Sequence, residues 1–298
     1  MGGVTAQAPP AVDVRRIGIV GIGLIGGSLG LALRRRLPAV ELVGVDRGEA
    51  REKAAAMGAF DRVEGDLEAL RGTELIVLAA PVRQNLAILG RLASILAGAT
   101  LITDTGSTKR SILQSAESLP PHLSFVGGHP LAGAARGGVE AAREDLFDGR
   151  PWLLTSGHAT REPADVSRIS ALVQALGADA RIVDAEAHDR LVAFLSHLPQ
   201  LTASALMHVV GEGVRRDGLA LAGPGLVDTT RLAASSAVIW RDICATNADA
   251  IVPALDALIE SLRRLRNDLT TGSAIDEVFG QASRWREILE ASAYNPEP

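Results

Sequence analysis

Cysteine is almost missing: Cys244 is the only one in 298 residues. A lone cysteine excludes an intrachain disulfide and a cysteine-based metal cluster, so no metal site is expected and a cytoplasmic compartment fits. No apolar run reaches the roughly 20 residues that cross a bilayer. The first residues carry Gly, Pro and Ala without the basic and apolar regions of a secretory signal, so 1–13 reads as a flexible tail. Net charge is −5 and no basic tract exceeds Arg34-Arg35-Arg36, which argues against a nucleic-acid surface. That triplet suits the end of a helix, where cations meet the negative end of the dipole. Lysine is nearly absent too, with only Lys53 and Lys109. What is present, 47% hydrophobic and 22% charged residues, can bury two cores at a length where single cores usually divide.

The strongest local pattern is an apolar strand, Arg16 to Val20, running into Gly21-Ile22-Gly23-Leu24-Ile25-Gly26 and then a helix. In such a loop Gly21 permits the tight turn, Gly23 lets a pyrophosphate approach the backbone, and Gly26 lets helix and strand pack closely. A second apolar run, Glu41 to Val45, ends at Asp46, placed to accept from a ribose 2′-hydroxyl. Together these residues predict a dinucleotide site. Asp46 favours NAD over NADP, and the neighbouring guanidinium of Arg47 leaves NADP open.

Further strand-like runs follow at Glu74–Ala79, Ala99–Thr103, Leu123–Val126, Trp152–Thr155 and Ala180–Val183, with a helix expected over Pro163–Leu176. Ala80-Pro81 then lies at the carboxyl edge of the sheet, beside the nicotinamide half of the cofactor. Two later strands end at Asp104-Thr105-Gly106-Ser107-Thr108-Lys109 and Gly128-His129-Pro130-Leu131-Ala132-Gly133. Ser107 and His129 are therefore expected at one cleft, His129 in a turn between small residues. A hydrogen-bonded turn histidine is the competing reading.

Strand signals stop at Val183. Leu191, Phe194, Leu195, Leu198, Leu201, Ala205 and Val209 make an apolar helical stripe, with Pro199 as a kink. Arg190, Ala193, His197, Gln200, Ser204 and His208 form a polar stripe that reads first as a solvated face. A glycine-rich break at Gly211–Gly225 precedes a helix expected to begin at Asp228, with Arg231 in its first turn. The division expected is an α/β dinucleotide-binding domain over 14–183 and an all-helical one over 184–298, apolar enough to need a partner surface.

The chain resembles the prephenate, arogenate and cyclohexadienyl dehydrogenases. The resemblance lies in the glycine loop through Ser28, Asp104–Lys109, Gly128–Gly133, His188-Asp189, Ser196-His197-Leu198-Pro199, Arg231–Ser235 and Trp240–Ile243. It implies a Rossmann-type N-terminal domain, a helical C-terminal domain for substrate binding and homodimerisation, and NAD-dependent oxidative decarboxylation of a dicarboxylate cyclohexadiene. It further implies His129 as proton acceptor, Ser107 as its orienting partner, Arg231 as carboxylate clamp and His197 in the substrate pocket. Two positions depart from the family pattern: Ala135, followed by Arg136, replaces an acidic residue, and Gln200 replaces a second histidine. Both bear on the choice between prephenate and arogenate. A dehydrogenase for a 4-amino analogue and a non-catalytic dinucleotide-sensing dimer are the other readings. The sensor needs no proton acceptor, so His129, Ser107 and Arg231 together weigh against it.

Overall fold

The computed structural model describes residues 13–133 and 137–293. Ala135, Arg136 and nearly all of the expected tail lie outside the described residues. All seven apolar runs form strands: β1 (Arg16–Val20), β2 (Glu41–Val45), β4 (Leu75–Leu78), β5 (Thr100–Asp104), β6 (Leu123–Pro130), β7 (Pro151–Thr155) and β8 (Asp179–Ile182), with β3 (Arg62–Glu64) between the second and third of them. Sequence periodicity misses β3 because it is a three-residue edge strand with a single apolar side chain. The sheet order is β3-β2-β1-β4-β5-β6-β7-β8.

Neighbours from β3 to β6 are parallel, β7 runs antiparallel to β6, and β8 is parallel to β7. Helices α1 (Leu24–Arg36), α2 (Gly48–Ala56), α3 (Val82–Ile95), α4 (Arg110–Ala116) and α5 (Pro163–Ala175) lie among the strands in sequence. Alternation along β4 sends Leu75 and Val77 to one core, with Leu29, Leu33 and Trp152, and Ile76 and Leu78 to the other, with Leu89, Ile102 and Phe125. Strands buried on both faces read as continuous apolar runs, which is why they were visible in the sequence.

His129 is not in a turn. Antiparallel pairing with β7 prolongs β6 through Pro130, with His129 opposite Leu153. Pro130, which has no N–H to donate, sits at the strand's last position, where that loss costs little.

The helical segment also departs from expectation. It runs as α6 (Ala185–Val192), a π turn (Ala193–His197) and α7 (Leu198–Leu219). The π turn takes the irregularity assigned to Pro199, which occupies the first turn of α7 and is tolerated there. The stripes are inverted. His197 and Gln200 are buried, whereas Phe194, Leu195 and Val209 are 53%, 67% and 66% exposed. Helix α7 continues through Gly211 and Gly213, its irregularity falling at Arg215, where φ is 55°. Asp228 caps nothing, since it lies within α8 (Pro224–Thr229). Arg231 opens a 3₁₀ turn (Arg231–Ala234) ahead of α9 (Ala237–Thr246) and so is not in the first turn of a helix from Asp228.

The chain divides into two compact units, residues 1–248 and 249–298. The second holds most of α10 (Ala248–Asn267) and all of α11 (Ser273–Ala293). Asp268 closes the turn between them by accepting from the Ser273 hydroxyl at 3.0 Å and from the Ala274 N–H. No helix among the described residues is long and apolar enough to cross a membrane.

Candidate active site

The parallel strands direct their carboxyl ends to one edge of the sheet, and that edge gathers the chemistry. After β1, Gly21 has φ 89°, and a side chain there would lie 2.6 Å from the Ala80 nitrogen. A Cβ on Gly26 would stand 1.9 Å from the Gly21 carbonyl oxygen, while nothing lies within 4 Å of the corresponding point on Gly23. The backbone is therefore open at Gly23 and closed on either side. Gly23 caps α1 without a side-chain hydrogen bond, and no acidic residue occupies the first turn, which includes Leu24 and Ile25. Those free N–H groups and the positive end of the dipole suit a pyrophosphate. Asp46 accepts from the N–H groups of Ile22 and Arg47 at 2.6 and 2.7 Å. This ties the acid expected at the ribose to the loop and leaves further lone pairs on its carboxylate. Ala80 is half-buried and Pro81 caps α3, both at the same edge.

Beside this loop the fully buried Lys109 and Asp104 form an ion pair. Lys109 Nζ donates to the Gly128 carbonyl at 2.7 Å, and the Gly128 N–H donates to Asp104 Oδ1 at 3.0 Å. The pair thus grips both sides of the residue that carries the chain into His129. Only glycine fits at 128, since a Cβ would lie 2.5 Å from the Asp104 carbonyl oxygen. Burial pulls the Lys109 ammonium below its usual range, against the attraction of Asp104. One of the two lysines in the chain is therefore a structural part of the site.

His129 Nδ1 lies 2.9 Å from His188 Nε2, and His188 Nδ1 lies 2.8 Å from Asp189 Oδ1. Asp189 is buried and also receives the N–H groups of Lys109 and Arg110 at 2.7 and 3.1 Å and Arg110 Nε at 3.1 Å. Burial alone would raise its pKa, but the hydrogen bonds from His188 and the two backbone amides hold it below the usual carboxylate range. A carboxylate only accepts, so His188 carries a proton on Nδ1, and as a neutral ring it offers a lone pair at Nε2. His129 must then donate from Nδ1, which leaves its Nε2 as a base. Burial first, and then the neighbouring His188, Lys109 and His197, which disfavour a positive charge on this ring, push the His129 imidazole well below 6.5 and keep it neutral.

The hydrogen bond expected between Ser107 and His129 is made by His188 instead. Ser107 is half-buried and makes no hydrogen bond to that ring. His197 is fully buried, and Asn247 Nδ2 lies 3.3 Å from its Nδ1. Gln200 is occupied: its Nε2 donates to the Leu232 carbonyl at 2.7 Å and its Oε1 accepts from Ser235 at 2.9 Å. It latches the turn that begins at Arg231, whose side chain is exposed. Asp104 and His188-Asp189 belong to motifs that carry the resemblance but had no role assigned to them, and Arg110 and Asn247 were not singled out from the sequence. Asp104, an acid closing an apolar strand, was the most legible of them.

An open glycine loop, an acid at the end of β2 and a carboxylate-backed histidine at the same edge define a dinucleotide-dependent oxidoreductase. Residues 29–182 match the family model for the prephenate dehydrogenase nucleotide-binding domain, and 184–279 the one for the prephenate dehydrogenase dimerization domain. The chain belongs to the prephenate dehydrogenase family. It is 35% identical to a prephenate dehydrogenase of Bacillus subtilis, over 83% of this chain and 68% of the relative. It is 32% identical to a cyclohexadienyl dehydrogenase of Zymomonas mobilis, over 93% and 96%. The crystal structure of prephenate dehydrogenase from A. aeolicus in complex with hydroxyphenyl propionate and NAD+ superposes with a TM-score of 0.84, at 28% identity over 93% of this chain and 99% of that one.

Proposed function

We propose that the chain is an NAD-dependent dehydrogenase that oxidises prephenate to 4-hydroxyphenylpyruvate with loss of CO₂. The observation that carries this reading is the Asp189-His188-His129 relay, which leaves an unprotonated Nε2 at the cofactor edge of the sheet. Bound NAD supplies the acceptor for the hydride leaving ring carbon C4. His129 Nε2 takes the proton of the C4 hydroxyl as the carbonyl forms. The C1–carboxylate bond then breaks, its electron pair enters the ring, and the proton on His129 returns to the oxygen as a phenol. Arg231 clamps a substrate carboxylate from a turn held by Gln200. Ser107 and His197 line the same cleft, while Gly21 to Gly26, Asp46, Arg47, Ala80 and Pro81 hold the cofactor.

The boundary between cofactor and substrate domains falls at 183/184, supported by the two ranges that match the family models. The helical part forms a homodimer. Phe194, Leu195, Val209 and Leu221 are exposed apolar side chains of the kind a partner subunit covers. Light scattering should give twice the mass of one chain, and a monomer at micromolar concentration would contradict this. A reducing, cytoplasmic compartment suits the single free thiol.

The test is NADH formation at 340 nm with prephenate and arogenate, each with NAD and NADP. Prephenate with NAD should give the highest kcat/KM, because Asp46 accepts from a ribose hydroxyl and repels a phosphate. Better efficiency with NADP would make Arg47 the dominant neighbour, and turnover of neither substrate would overturn the function. Arogenate is the second reading, supported by the cyclohexadienyl relative and by 29% identity and a TM-score of 0.76 to the crystal structure of an arogenate dehydrogenase of Synechocystis. Arg231→Ala should raise the KM for substrate roughly tenfold or more, the scale for losing a charged hydrogen bond, with the KM for NAD nearly unchanged. Arg231→Lys should recover only part of this, since an ammonium cannot make the planar two-point contact. An unchanged substrate KM in Arg231→Ala would remove Arg231 from the site.

A further inference from the structure

Arg110 touches both arms of the site. Its Nε donates to Asp189 Oδ2 at 3.1 Å, and its Nη2 donates to Asn247 Oδ1 at 2.9 Å. We propose that Arg110 is a positioning residue which, through Asn247, fixes His197 as the Nε2–H tautomer. The site then pairs one histidine that accepts, His129, with one that donates, His197, to an acceptor oxygen of the substrate. The substrate part rests on the function proposed above.

The hydrogen bonds around the Asn247 amide decide its orientation. A guanidinium has only donors, so the atom facing it is the amide oxygen. The other atom lies 2.8 Å from the Asp189 carbonyl oxygen, which only accepts, so it is the nitrogen. The two constraints agree. The amide nitrogen also faces His197 Nδ1 at 3.3 Å, which must therefore present a lone pair. Burial lowers the His197 pKa to about 4, so the ring is neutral near pH 7 and holds one proton. That proton is on Nε2.

His197 Nε2 is buried and has no hydrogen-bond partner. The Trp240 ring packs edge to face against this imidazole, with centroids 5.7 Å apart and planes at 82°. A buried N–H without an acceptor is costly, and a ligand oxygen brought against it removes that cost. An ammonium cannot do so, because both partners would be donors. Whatever group of the substrate meets His197 is thus a carboxylate, carbonyl or hydroxyl oxygen. Because both bonds leave one rigid fork, displacing Arg110 disturbs the proton positions on His197 and on the His188-His129 arm together.

The experiment is a long-range ¹H–¹⁵N correlation spectrum of the full chain with ¹⁵N-labelled histidine. His197 is assigned as the signals lost in His197→Gln. The expected pattern is a protonated Nε2 and a bare Nδ1, and a protonated Nδ1 would overturn the proposal. In Asn247→Leu the Nδ1 signal should leave its wild-type position and a mixture of tautomers appear, whereas an unchanged pattern would remove Asn247 and Arg110 from the role. This readout needs no turnover, so it is independent of whether prephenate is the substrate. For the substrate oxygen, the nitrogen of Gln can replace Nε2, whereas that of Asn replaces Nδ1. His197→Gln should keep the substrate KM within about threefold and His197→Asn should raise it roughly tenfold, the scale of one lost hydrogen bond in a buried site. The opposite order would show that no oxygen is received at Nε2.

Discussion

Asp189→Asn lowers kcat by about 10²–10⁴-fold, the range for disabling a general base, while the KM for NAD stays near wild type. The substitution preserves shape and reverses proton logic. Oδ2 of Asp189 accepts from the Arg110 N–H and Nε, and Oδ1 faces the Lys109 N–H and His188 Nδ1, so an amide oxygen kept on the two Arg110 donors puts the amide nitrogen in the place of Oδ1. The amide nitrogen then faces His188 Nδ1, which must give up its proton. His188 carries N–H at Nε2 instead, and His129 has to accept at Nδ1 and protonate Nε2. The base becomes a donor. In serine hydrolases the equivalent exchange behind a catalytic histidine acts through the wrong tautomer in the same way. A kcat within about threefold of wild type would mean that the relay does not set the His129 tautomer.

His129→Asn lowers kcat over the same roughly 10²–10⁴-fold range. The more discriminating measurement is the double variant. Residues that act as one unit are not additive, so Asp189→Asn in the His129→Asn background should change kcat little further. Multiplicative losses would show that Asp189 supports the fold or the substrate separately from His129. Circular dichroism and thermal unfolding accompany both variants, because Asp189 also ties α6 to the Lys109 loop through buried hydrogen bonds.

Legibility followed local physics. The strands were readable because burial on both faces leaves continuous apolar runs, and the glycine loop because its conformational demands can be met by few residues. Three features were not. Nothing local extends β6 through His129, since the pairing that does so comes from β7, more than twenty residues on. The helix from Ala185 shows a conspicuous apolar stripe, yet the π turn and the buried polar network turn His197 and Gln200 inward and leave Phe194 and Leu195 exposed. Amphipathicity identifies a helix with two faces but not which one a polar site claims. His188, Asp189 and Asn247 converge from positions 58 or more residues from their partners His129, Lys109 and Asp189, except for the His188-Asp189 neighbours themselves. No spacing rule connects such residues.

The central claim is that neutral His129 accepts the substrate proton, and the pH dependence of kcat/KM tests it most directly, because this parameter reports the titrating groups of the free enzyme. The imidazole works unprotonated, so activity is retained above its pKa and lost as pH falls through it. Burial, His188, Lys109 and His197 place that pKa well below 6.5. The expected result is a flat kcat/KM through pH 7 with an acidic limb below 6.5, absent from the residual activity of His129→Asn. A limb at or above 6.5, or the same limb retained in His129→Asn, would contradict the assignment of His129 as the base.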